Sequence, residues 1–105
     1  MIHVTVSYPK GEGTTFDHEY YREKHLPLVL ARLGGAVKRA EIDRAISGPD
    51  SASPAAWMAS GHLFFASLEE FAASFGPHAP EILEDLPNFT NVQPHIVISE
   101  SIAVG

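Results

Sequence analysis

Phe16-Asp17-His18-Glu19-Tyr20-Tyr21-Arg22-Glu23-Lys24-His25-Leu26-Pro27-Leu28 is the stretch around which the rest of the chain is ordered. Its signals are helical. Thr14 or Thr15 supplies an N-cap, and Asp17 and Glu19 put negative charge in the first turn, where it complements the helix dipole. The spacing predicts a helix over 16–33, closed by Gly34-Gly35. Pro27 lies inside it and removes a hydrogen bond to the turn below, which predicts a kink. At 100° per residue, Phe16, Tyr20, Tyr21, Leu28 and Ala31 share one broad arc, with His25 at its margin beside Tyr21.

Upstream, Ile2, Val4, Val6 and Tyr8 alternate with His3, Thr5 and Ser7, the period of a strand, and residues 9–13 form a loop. Downstream, residues 37–46 read as a second strand, 47–54 as a loop and 56–65 as a third strand. Ser67-Leu68-Glu69-Glu70 is a capping box that opens a helix ending at Gly76-Pro77. Pro80 starts a short helix to about Leu86, and residues 91–99 read as a last strand in which Pro94 marks an edge or bulge. The order β-α-β-β-α-β defines an α+β chain of ferredoxin-like type, with helices on one face of a four-stranded antiparallel sheet. The other face is expected to carry His3, Thr5, Trp57, Leu63 and Val97. An apolar face of that size seldom stays wet, so a homodimer pairing two sheets is expected.

Length and charge narrow the function. The chain has 105 residues, enough for one domain over 1–105 and one modest core. Seven Lys/Arg oppose 13 Asp/Glu for a formal net charge of −6, and the last basic residue is Arg44. Nucleic acid and acidic membrane surfaces both require clustered basic residues, so neither is an expected partner. Cysteine is absent, which removes disulfides, thiolate metal sites and cysteine nucleophiles. The first residues alternate rather than forming a leader, and no run approaches the ~20 apolar residues of a membrane helix. The expected compartment is the cytoplasm.

Two tyrosines and a histidine facing a sheet can line a pocket. Imidazole titrates near neutral pH and passes protons either way, while phenol hydroxyls hold a substrate oxygen. The plainer reading makes the tyrosines core residues and pairs His25 with a backbone carbonyl. Metal ligation has little support: His18-Glu19 resembles the start of a zinc-protease helix, but Arg22 stands where its second histidine belongs. Gly11-Glu12-Gly13 lacks the third glycine and the lysine of a phosphate cradle. His78, between two helical segments, is placed either at a pocket mouth or in solvent.

Phe16-Asp17-x-x-Tyr20-Tyr21-x-x-x-His25-x-Pro27-Leu28, Phe75-x-Pro77-His78, Asp85-x-Pro87-Asn88-Phe89-Thr90, Gln93-Pro94 and Ile96-x-Ile98 together resemble the EthD family. The resemblance runs in order from Ile2 to Glu100. It implies a dimeric α+β barrel, two ferredoxin-like subunits joined through their sheets, each with a cleft between sheet and helices. Carried onto this chain, the family's helix motif marks Tyr20, Tyr21 and His25. The expected site has His25 as general acid/base, Tyr20 or Tyr21 orienting a substrate oxygen, and Phe16, Leu28, Trp57 and His78 contacting a small hydrophobic or aromatic ligand. No cofactor is expected, since no flavin, haem or metal signature is present. Isomerisation, cyclisation or cofactor-free oxidoreductase chemistry suits that set. The alternatives are a non-catalytic metabolite-binding or accessory protein of an oxidative degradation pathway, and a structural dimer whose aromatic side chains fill the cleft.

Overall fold

A computed structural model describes residues 1–105. Four strands, β1 (Ile2–Pro9), β2 (Arg39–Arg44), β3 (Trp57–Phe65) and β4 (His95–Glu100), form one antiparallel sheet in the order β2-β3-β1-β4. Between β1 and β2 run α1 (His18–Tyr20), a π-helical segment (Tyr21–His25) and α2 (Leu26–Leu33), without a break. Between β3 and β4 run α3 (Leu68–Phe75) and α4 (Ala79–Glu84), each followed by a short 3₁₀ turn. The α+β ferredoxin-like architecture is therefore the one the element order predicted. No helix is long and apolar enough to cross a membrane.

Local chemistry explains where the elements begin and end. Asp17, not Thr14 or Thr15, is the N-cap, accepting the Tyr20 amide at 3.0 Å. Phe16 is held extended in a bridge to Thr90, so the helix cannot start before it. Thr14 instead closes its own turn onto Gly11, and Thr15 donates its amide to Asn91. Gly34 ends α2 at φ +59°, a conformation that favours glycine. Ser67 caps α3 as expected, accepting the Glu70 amide at 3.2 Å. β4 starts only at His95, because Pro94 has no N–H for the ladder, and it is an edge strand. The disturbance expected at Pro27 takes the form of the wide π turn just ahead of it.

Strand register sorts the side chains. Val4 opposes Leu63 and Ile98, while Val6 opposes Gly61 and Ile96, so these face the helices. Leu63 thus lies on the covered face, not the open one. The open face is also more polar than expected. Ser7 meets Ser60 at 3.0 Å, and Thr5 meets His62, whose Nε2 reaches Asp43 at 2.7 Å. Arg39 pairs with Glu41 nearby. Trp57, 37% exposed, lies edge-on to His95 at the rim. The molecule is a slab measuring 41 × 40 × 19 Å, one layer of helices on one sheet.

Beneath the helices the core falls into two clusters. Val4, Val29, Leu33, Phe65 and Ile82 form one, and Tyr8, Tyr21, Leu26, Ala59 and Phe89 form the other. Phe65 is sealed completely and anchors the first. Such a ring stabilises by about 1.5–3 kcal/mol through burial alone. Between the clusters the packing leaves a gap.

Candidate functional site

The π segment sets the geometry of the site. In an α-helix, residues five apart lie about 140° away from each other, on different faces. Here the ring closes at i+5, with the Leu26 amide bonding the Tyr21 carbonyl, and the opened turn swings Tyr20 and His25 toward one side. Both reach the same carboxylate. Tyr20 donates its hydroxyl to Asp85 Oδ1 at 2.7 Å, and His25 Nδ1 donates to Asp85 Oδ2 at 2.9 Å. Asn88 adds an amide bond to Oδ1 at 2.9 Å. The helix entry and the 85–90 turn are laced together, since the Asp17 amide bonds the Phe89 carbonyl at 2.7 Å and Thr90 Oγ1 bonds the Thr15 carbonyl at 2.7 Å.

His25 is 5% exposed. Its ring stacks on Tyr21 (centroids 5.7 Å apart, planes 17° apart) and packs on Phe89 at 4.5 Å. No buried side-chain nitrogen or oxygen lacks a partner, yet Nε2 has none, so that atom opens onto free space. The space is a cavity of about 140 Å³ at the seam of the two core clusters. Its walls are apolar, with Val4, Leu63, Val29, Phe71 and Ile96 prominent, and its polar groups come from His25, Tyr21 and Tyr8. A cavity near 150 Å³ accommodates one benzene-sized ring.

Burial pulls the His25 imidazole below its ordinary range, and the hydrogen bond and charge of Asp85 recover only part of that. Burial alone would raise Asp85, but the bonds from Asn88, Tyr20 and His25 outweigh it and hold the carboxyl low. Desolvation pushes Tyr21 up to about 12, and Tyr8 higher still. At neutral pH the site therefore holds an Asp85 carboxylate, protonated phenols, and a neutral His25 with its proton on Nδ1. Nε2 then faces the cavity as a proton acceptor.

This arrangement fixes a pH dependence. Unfolding returns His25 to about 6.5, so below that pH the unfolded chain binds a proton that the folded chain resists. Stability should fall as pH drops below about 7. His18, also lowered by its burial and by the Arg44 charge, contributes with the same sign. Urea titrations across this range should show the slope flattening in His25→Gln, and an unchanged slope would refute the neutral buried imidazole.

The site residues expected from sequence separate in space. His25 and Tyr21 line the cavity. Tyr20 lies behind Asp85, outside it, stacked on Phe89. Phe16 packs on Tyr8 at 4.8 Å and on Tyr21 at 5.0 Å, in the layer behind the wall. Leu28 and His78 contribute nothing to the lining, and Trp57 sits at the rim of the open face. The cleft is not filled by aromatic side chains, as the structural-dimer reading required. Two further residues belong to the site: Asp85, which stood in the quoted motif without a role, and Tyr8, which reads in sequence as one more apolar strand position.

The fold is a ferredoxin-like sheet with helices on one face, and an apolar cavity under the helices is bordered by His25, which pairs with Asp85. The EthD domain model matches residues 10–93, and the chain belongs to the EthD family. It is similar to the crystal structure of an EthD-like protein from Ralstonia eutropha JMP134, at 39% identity and a TM-score of 0.92 over 97% of this chain and 92% of that one. It is also similar to an ethyl tert-butyl ether D family protein from Bacillus halodurans C-125, at 13% identity and a TM-score of 0.69 over 97% and 99%. Hydroxynitrile lyase from Passiflora edulis shares the fold at 16% identity and a TM-score of 0.51 over 98% and 95%. No curated protein sequence matches.

Proposed function

We propose that this chain binds a small, largely apolar metabolite in the cavity and that His25 moves a proton on it through Nε2. Asp85 fixes the ring's tautomer and direction, and Tyr21 or Tyr8 donates to a substrate oxygen. The observation that carries this reading is the 2.9 Å bond from His25 Nδ1 to Asp85, with the other ring nitrogen open to an apolar cavity. A buried base aimed by a carboxylate suits cofactor-free isomerisation, cyclisation or oxygenation. The working form is a cytoplasmic homodimer joined sheet to sheet, a reading supported by the slab shape and the uncovered sheet face.

Phenylacetone in heavy water tests the base directly, because abstraction of a benzylic proton exchanges it for deuterium. Saturable exchange should appear with the native chain. It should drop by about 10²–10⁴-fold in His25→Ala, the usual contribution of a positioned base. Saturable binding without exchange would favour a metabolite-binding or accessory protein instead. Exchange retained in full by a folded His25→Ala variant would reject the assignment of the base.

A further inference from the structure

We infer that the apolar cavity and a neighbouring polar cleft are two compartments of one site, whose ligand is an amphipathic carboxylate with its charge held by Arg44. This rests on the cavity being the binding site. The cleft, about 320 Å³, opens beside β2, and Tyr21 is the wall common to both spaces. Ile42, which lines the cleft, pairs across strands with Gly61, which lines the cavity. Tyr21 therefore stands over the line where the two meet. Arg44 also lines the cleft and lies two residues further along β2, about 7 Å at the usual strand rise and on the same face.

The charge pattern singles out this arginine. Arg22, which lines the same cleft, pairs with Glu23, Arg32 with Glu81 and Arg39 with Glu41, while Arg44 has no carboxylate partner. Asp43 in the same cleft is engaged by His62 at 2.7 Å, leaving Glu19 as the other carboxylate facing it. Arg44 and His18 line the cleft together. The cavity itself holds no cation, since His25 is neutral, and burying an unpaired carboxylate there is costly. A ligand acid must leave its charge outside, and a guanidinium fork matches a carboxylate in two parallel bonds. The apolar body then runs beside the Tyr21 ring toward His25.

Phenylbutyrate and its neutral partner phenylbutanol form a matched probe pair, followed by calorimetry and by the ring signals of His25 and Tyr21. The native chain should bind the acid about tenfold more tightly than the alcohol, as expected for a charge-assisted pair near the surface. Arg44→Gln should erase that preference while leaving alcohol binding intact, and Arg32→Gln should leave the preference unchanged. Equal affinity for the two probes in the native chain, or a preference that survives Arg44→Gln, overturns the inference and leaves the cavity reading standing. Failure of both probes to perturb His25 rejects the two together.

Discussion

Gly61→Ala is expected to destabilise the protein by about 1–3 kcal/mol, although alanine is ordinarily the better strand residue. A Cβ at this position would lie 2.3 Å from the Tyr21 hydroxyl oxygen, far inside contact distance. The phenol cannot easily retreat. Its ring is buried and wedged against Tyr8 at 5.6 Å, Phe16 at 5.0 Å and Phe89 at 5.3 Å. With the hydroxyl removed, the nearest atom is Cζ at 3.6 Å, an ordinary contact. Tyr21→Phe should therefore rescue Gly61→Ala and make the double variant more stable than the single glycine replacement. At about 4–8 °C per kcal/mol for a domain this small, melting curves resolve the difference. A single variant that melts at the native temperature would show that the hydroxyl does not rest on Gly61.

Asp85→Asn should keep the fold and reverse the chemistry of His25. Oδ1 accepts from both Tyr20 and Asn88, and Oδ2 accepts only from His25. An asparagine satisfies most partners by placing its carbonyl where Oδ1 sits, which turns its NH₂ group toward His25 Nδ1. That nitrogen must then accept, and the proton moves to Nε2. The cavity loses a proton acceptor and gains a donor. Imidazole nitrogen shifts should report the tautomer change without any substrate, and the deuterium exchange of phenylacetone should fall by about 10²–10⁴-fold, as when a base loses its proton-accepting form. Retention of the Nδ1–H tautomer in the variant would disprove the part given to Asp85.

Much of the fold was legible because its signals are local. Alternation gave β1, the Ser67–Glu70 cap gave the start of α3, and Gly34 closed α2. The errors have physical sources. The cap moved from Thr14 or Thr15 to Asp17 because a bridge to Thr90, some seventy residues away in sequence, holds Phe16 extended. Leu63 changed faces because register, not composition, decides the side of a sheet on which a residue lies. At the site, the 100° rule grouped Tyr20 with Tyr21 and left His25 marginal, yet the rule fails across a π turn, where Tyr20 and His25 converge on Asp85. Asp85 carried no periodic signal that would connect it to a helix sixty residues earlier.

The wide turn over Tyr21–His25 gives the helix one residue more than regular coiling would use over the same rise. Removing one residue between Tyr20 and His25 would close that turn into a regular spiral. Tyr20 and His25 would then stand four apart, about 40° from each other, and would still share a face. The wide turn thus lets a longer segment do what a regular helix does with one residue fewer: a relative lacking one residue between the pair would keep both side chains on one side.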